Sequence, residues 1–452
     1  MIPTAFVGFV LAVVYPSIAI FKKVGTGSLL LWLTFALGCA FVLARLVRQR
    51  QVLQLPSWIA MTGLGAMHLA LLVGFLAIHP LIDNDGFRLA GRDFGSSDGD
   101  EALELALSRL QAGEYPYRAE TFLGNPITPL PGALLLAAPF YFIGNVGLQN
   151  VFWLAVLFGG IAWWFRASAA ACLLAAATFL LCPTLVYHVL QGTDYVANAT
   201  YVLASSVLLL ESMRRDAPAW LRILASSLLG VALSSRMNFL ACAPLIFLAL
   251  RELRGWRQAT RAVLPCALAF VVATLPFYLY DPAGFSPLHT EGKLSMGGRM
   301  PWAPIVVPAL GVLLAFALGS RTGGAGLQRW LGNAFIVQFY LVASGMLVAS
   351  LANGELALSY AHFGLLALPF GVAAFGPAWL LATRDRAFTA VALPGGRAEM
   401  PTHSTSRGPG VLATVQSAAK ADPGARPSGA AAHERGRGSS ARSSSMSGGW
   451  AE

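Results

Sequence analysis

Apolar runs long enough to cross a bilayer follow one another along this chain from Thr4 to about residue 383, and they leave few folds open to it. They fall at 4–21, 28–44, 57–78, 147–165, 168–187, 197–211, 219–235, 237–250, 262–280, 302–319, 330–350 and 359–383. A helix needs roughly 20 apolar residues to span the hydrocarbon, so each run reads as one span, twelve in all. A thirteenth run, Pro129 to Ile143, is shorter and contains Pro131 and Pro139. No water reaches backbone amides in the hydrocarbon, so such segments must be helices. The expected fold is an all-α polytopic membrane protein with about twelve to thirteen transmembrane helices. Only 12% of the residues are charged, against roughly 25% in soluble domains, which excludes an ordinary soluble protein. The first run has neither a basic segment before it nor a small-residue cleavage site, so it reads as a retained span rather than a signal peptide.

The formal net charge is +10. Its distribution argues for a membrane rather than for nucleic acid as partner. Basic residues gather in short loops: Arg45, Arg48 and Arg50; Arg214 and Arg215; Arg251, Arg254, Arg257 and Arg261; Arg321 and Arg329; Arg384 and Arg386. Such clusters mark cytoplasmic loops. If the loop at 80–128 is external and 129–143 is re-entrant or interfacial, then Arg166, Arg214, Arg251, Arg321 and the C-terminal tail all fall inside. Lys22 and Lys23 run against this arrangement, and the cluster Arg45, Arg48 and Arg50 outweighs them. The five cysteines all sit within apolar runs and lack ligand spacing, so they read as core residues with no disulfide or metal role.

The external loop is the acidic exception. From Pro80 to Thr128 it holds Asp83, Asp85, Asp93, Asp98, Asp100, Glu101, Glu104, Glu114 and Glu120, 9 of the 21 carboxylates. Leu103, Ala106, Leu107 and Leu110 fall at helical spacing, with Glu101, Glu104, Ser108 and Arg109 opposite, which predicts an amphipathic helix along the membrane surface that ends at Gly113. Ser97 with Asp100, and Asp98 with Glu101, fit a loose capping box. Capping is the plain reading of these carboxylates; a rigid base or a group orienting a hydroxyl is the functional one. Asp83-Asn84-Asp85-Gly86 reads as a turn, without the spacing of a known calcium loop. Asp194 is a candidate cap for the helix that follows it. Arg236 lies between two apolar runs, where a charge is costly and is either snorkelling or functional. His188 and His362 lie toward the external side, where a hydrogen-bonded structural role is the commoner one.

Several of these segments together resemble the multi-span GT-C glycosyltransferases, including the lipid A aminoarabinose and protein mannosyltransferase group. The first is Asp100-Glu101 with its amphipathic helix, Gly113, Tyr115-Pro116-Tyr117, Gly124-Asn125-Pro126, Pro129-Leu130-Pro131-Gly132 and Ala137-Ala138-Pro139-Phe140. It is similar to that superfamily's first external loop. Gln191-Gly192-Thr193-Asp194 resembles its second carboxylate site, and Ser234-Ser235-Arg236 a position where members keep Lys or Arg. Tyr360-Ala361-His362 before Ala367-Leu368-Pro369 resembles a late basic-aromatic motif. The resemblance covers about residues 57–383, and two extra spans precede it.

It implies an enzyme that uses a polyprenyl-phosphate sugar donor and a glycan, lipid or protein acceptor on the extracytoplasmic face. Asp100, Asp98 and Glu101 are the catalytic candidates. Asp194, Arg236, His188 and His362 are the substrate-binding candidates, with Arg236 as phosphate clamp. No metal site is assigned, although the resemblance admits a divalent cation. The expected organisation is two N-terminal spans and a cytoplasmic loop over 1–56, a catalytic membrane domain over 57–383, and a cytoplasmic tail over 384–452. From about Pro394 that tail is rich in Gly, Ser, Ala, Pro and Arg and is expected to be disordered. The rival expectation is a transporter or lipid flippase, which would need ionisable residues in mid-span.

Overall fold

The structure, a computed structural model, describes residues 4–48, 55–82, 88–89, 92–93, 97–289, 294–296, 298–320 and 326–391. They are helical almost throughout. A short antiparallel pair, β1 (Arg88–Leu89) and β2 (Arg92–Asp93), is the one sheet among them. Eight helical segments are long and apolar enough to cross a membrane: Thr4–Phe21, Gly27–Val47, Ser57–Ile82, Leu148–Phe165, Tyr195–Arg214, Trp256–Tyr280, Ala303–Ser320 and Leu327–Asn353. Large side chains such as Leu31, Leu81 and Ile305 point outward, as lipid-facing residues do. The chain is a multi-pass helical membrane protein.

The span count departs from the twelve runs at four places, and proline explains three of them. The run at 168–187 is two helices, α8 (Ser168–Leu181) and α9 (Pro183–Leu190), bent by 83°. The run at 359–383 is a 3₁₀ segment, Leu358–Leu366, followed at a 68° bend by a helix beginning at Leu368. Pro183 and Pro369 sit in the first turn of the second helix of each pair, where the missing N–H costs nothing and the preceding helix cannot continue. Each bent pair counted as one span brings the total to ten. The run at 237–250 is a 3₁₀ segment, Met237–Cys242, and then α12 (Ala243–Arg254), with Pro244 at the junction. The run at 219–235 forms α11 (Ala219–Leu233), only 15 residues long.

The bundle closes on itself through small residues. A Cβ at Gly230 of α11 would lie 2.1 Å from the Cys266 carbonyl of α13 (Trp256–Tyr280), so these two backbones touch. The first helix, α1 (Thr4–Val14), meets the last through Phe6 and Phe9 against Trp379. That last helix runs from Leu368 to Val391, past the expected boundary at residue 383. Cys182, Cys242 and Cys266 are buried and no cysteine is paired, in keeping with their reading as core residues.

Two opposite ends can be told apart. α10 (Tyr195–Arg214) is 20 residues long, about 30 Å at 1.5 Å per residue. At its C-terminal end Glu211 accepts from Arg214 (2.7 Å) and Arg215 (3.1 Å), Arg254 donates to the Met213 carbonyl, and Arg222 pairs with Asp216. At its N-terminal end lies Asp194, and there the acidic loop docks. α6 (Pro131–Ile143) begins and ends at that same end. Its first turn is held by the α11 terminus, with the Gly132 amide donating to the Ser234 carbonyl at 2.8 Å and the Leu130 amide to the Ser235 carbonyl at 3.1 Å. Just beyond its last turn, a Cβ on Gly147 would sit 3.0 Å from the Gly192 Cα. α6 therefore does not cross the bundle. This matches the re-entrant or interfacial reading of 129–143.

Candidate functional site

α5 (Gly99–Gln111) carries the three loop carboxylates at its start. Leu103, Ala106 and Leu107 are buried, as the spacing predicts, but against protein rather than lipid. They join Tyr117, Ile127, Leu130, Leu134 and Phe285 in a separate apolar cluster. The helix expected to lie on the membrane surface is thus docked on α6, because α6 and the 115–130 segment supply an apolar face of matching size. It stops as expected: Gly113 takes φ +74°, and the Glu114 amide reaches back to the Arg109 carbonyl at 2.8 Å.

The capping reading of the carboxylates is corrected. Asp98 stands at the N-cap of α5 and Asp194 at that of α10, yet neither side chain caps its helix. Asp98 Oδ2 accepts from the Thr121 hydroxyl (2.7 Å) and from the Asn125 side-chain amide (2.8 Å). Glu101 accepts from the Phe122 amide through both oxygens, at 3.1 and 3.0 Å. Asp100 is buried and turns the other way, against Gly192 and toward His79 at 3.5 Å. Three adjacent acids therefore have three different environments. Asp98 accepts from two neutral donors, Glu101 anchors the 120–125 turn, and Asp100 is sequestered.

Asp194, 1% exposed, accepts from Arg236 Nη2 and, at 2.6 Å, from the Asn198 side-chain amide. Arg236 lies over the Tyr195 ring at 4.9 Å from its centre. Burial works against the Arg236 charge, and Asp194 and Tyr195 together more than restore it. Its Nε is buried and makes no hydrogen bond among the described residues. The Tyr195 side chain feels the charges of Arg236, Asp194 and Asp98, which places all four groups within one field. His188 and His362 stack on each other at 5.3 Å and 20°, each about 5.7 Å from the Tyr195 ring. Thr193 hydrogen-bonds to His188 at 3.3 Å.

All seven predicted site residues, drawn from five stretches of chain, therefore gather at one end of the bundle. Asp83 and Asp85 lie outside the described residues. A second loop closes the rim: Arg118 pairs with Asp281 at 2.9 Å, and the Ser286 hydroxyl donates to the Ile127 carbonyl at 2.5 Å. The Gly284 amide and then Arg118 hold the Asp281 carboxyl below the usual carboxylate range. Among the described residues no three His, Cys, Asp or Glu side chains group as a metal would require. Asp98 and Asp100 turn away from each other, so the cation admitted by the resemblance finds no matching donor set in that pair. An apolar cavity of about 360 Å³, lined by Trp163, Trp164, Val207 and Leu331, lies toward the basic end, away from this cluster.

Residues missed in the sequence are His79, Thr121, Tyr195 and Asn198, together with the role of Asn125. Asn198 carried a signal, standing one helical turn after Asp194. The partners of Asp98 and Asp100 carried none, being set by chain reversals at 112–125 and 190–194. No protein-family model, no curated protein and no solved structure matches the chain.

Proposed function

We propose that this protein is a membrane glycosyltransferase, moving a sugar from a polyprenyl-phosphate donor to a glycan, lipid or protein acceptor. The observation that carries this reading is Arg236: a half-buried cation with a buried, unused Nε donor, set among Asp98, Asp194 and an aromatic ring. A buried donor without an acceptor calls for a ligand, and a guanidinium is matched to a phosphate oxygen. A phosphate held at the end of a helix bundle leaves its polyprenyl chain in the lipid.

In this reading Asp98 Oδ1 takes the proton of the acceptor hydroxyl. The new bond forms between that oxygen and the sugar's anomeric carbon as the carbon–oxygen bond to phosphate breaks. The polyprenyl phosphate leaves as an anion stabilised by Arg236. Asp194 fixes the guanidinium and keeps it charged. Glu101 and Asn125 hold the loop that carries Asp98, and the stacked His188 and His362 wall the site beside Tyr195. The positive-inside bias of the opposite end supports an extracytoplasmic site. The charged groups stand at helix ends, which favours surface chemistry over a transport path through mid-span.

The test is transfer in membranes supplied with labelled polyprenyl-phosphate sugars, comparing wild type with Asp98→Asn/Asp100→Asn. Incorporation that vanishes in the folded double variant is expected. Undiminished incorporation in that variant, or none from any donor in wild type, rejects the assignment.

A further inference from the structure

Asp100 meets a residue outside the seven. His79, near the end of α4 (Ser57–Ile82), is 5% exposed and stacks on Phe75 at 4.6 Å and 15°. Its Nδ1 lies 3.1 Å from the Leu190 carbonyl. A carbonyl only accepts, so Nδ1 carries a hydrogen. Its Nε2 faces Asp100 Oδ2 at 3.5 Å, with Asp100 itself 3% exposed. A neutral ring with its hydrogen on Nδ1 would aim the Nε2 lone pair at a carboxylate, a repulsive contact in a low dielectric. The pair therefore holds one more proton.

We propose that His79 and Asp100 form a proton-dependent clamp, with His79 the positioning residue that holds the start of α5, and so Asp98, over the 191–194 turn. The approach is close enough to need glycine on both sides. Gly192 takes φ +76°, and a Cβ there would fall 2.5 Å from Asp100 Oδ2; a Cβ on Gly99 would fall 3.3 Å from the Thr193 Cα. Among the described residues, the other charged or titratable groups on the elements around the pair are His68 on α4, Asp98, Glu101, Glu104 and Arg109 at and along α5, Tyr187 and His188 on α9, and Asp194 with Arg236 beyond the turn. Asp98, Glu101 and Asp194 have their own donors. The clamp is intact while the pair keeps that proton and is lost as rising pH removes it, leaving Nε2 and Oδ2 as two acceptors face to face. Only its consequence for Asp98 rests on the transferase reading.

Two arms test it. Thermal unfolding of the full chain in nanodiscs is measured for wild type, His79→Gln, Asp100→Asn and the double variant at about pH 6 and about pH 9, on either side of the free imidazole value of about 6.5. The expected result is coupling between the two substitutions at the lower pH and none at the higher. Absent coupling, or equal coupling at both, overturns the clamp whatever transfer does. In the transfer assay, wild type should lose turnover on the alkaline side with KM unchanged. His79→Gln, whose amide donates at any pH, should lose that limb and outperform His79→Ala. A shared alkaline limb in wild type and His79→Gln also overturns the proposal. Coupling without transfer from any donor leaves the clamp standing and the transferase reading rejected.

Discussion

At the scale of single residues, the site turns on charges that have exchanged water for one another. Asp194 is 1% exposed and its counter-charge Arg236 is only partly so. Removing one partner of a buried ion pair costs about 3–5 kcal/mol, because the other is left uncompensated. Asp194→Asn should therefore lower the unfolding midpoint in nanodiscs far more than Glu101→Gln, which keeps an acceptor for the Phe122 amide. Equal midpoints would show that the Asp194–Arg236 pair is not buried as described. Asp98→Asn should behave oppositely, leaving the midpoint nearly unchanged while removing the proposed base. Asp281 gives a pH prediction of definite sign. Its carboxyl is held below the usual range by the Gly284 amide and Arg118, so the tie is fully present above about pH 3.9, the ordinary carboxyl value. It is lost as pH falls through the lower folded value. Protease cleavage after residue 281 should rise there in wild type and be high at all pH in Arg118→Gln; a wild-type curve flat through that range would contradict it. The acids themselves were legible as candidates from position alone, but not their division of labour. Capping and catalysis make the same demand on sequence spacing, and only the tertiary partners Thr121, Asn125 and His79 separate them.

Among elements, the decisive contact is the seat of α6 on the end of α11. A Cβ on Gly132 would lie 2.1 Å from the Val231 carbonyl and 2.6 Å from Ser234, backbone atoms that cannot give way. Gly132→Val should unseat α6, and with it the apolar face that α5 covers. The site should then open without the bundle unfolding, read as increased thiol labelling of a cysteine introduced at Leu103. Labelling as low as in the parent would show that the seat is not needed. The same glycine belongs to the Pro129-Leu130-Pro131-Gly132 stretch, and its partners to Ser234-Ser235-Arg236, so two motifs quoted separately from the sequence are one joint. The periodicity of α5 was legible because an apolar stripe needs a covering surface. That the surface would be α6 rather than lipid was not, since a stripe does not name its partner. The shortening of 237–250 and the breaks at Pro183 and Pro369 followed from proline, which a count of apolar residues passes over.

Over the whole molecule, one end gathers carboxylates, histidines and tyrosines, and the other arginines, about 30 Å apart along a 20-residue helix. Hydropathy and the positive-inside pattern were enough to read a multi-pass membrane protein with its acidic loop at one boundary, because both follow from the cost of exposing polar groups to hydrocarbon. The convergence of residues 98–101, 188, 194, 236 and 362 was legible only as a shared side, since side-chain meeting points depend on helix bends of 83° and 68° that leave no count in the sequence. The central proposal is that Asp98 acts as the base beside a phosphate held by Arg236. The most direct measurement is sugar transfer by the purified protein from a polyprenyl-phosphate donor, wild type against Asp98→Asn at matched folded concentration. A loss of about 10²–10⁴-fold in turnover, the usual contribution of a positioned base, with the unfolding midpoint held, is the predicted result. Turnover by Asp98→Asn equal to wild type would contradict it.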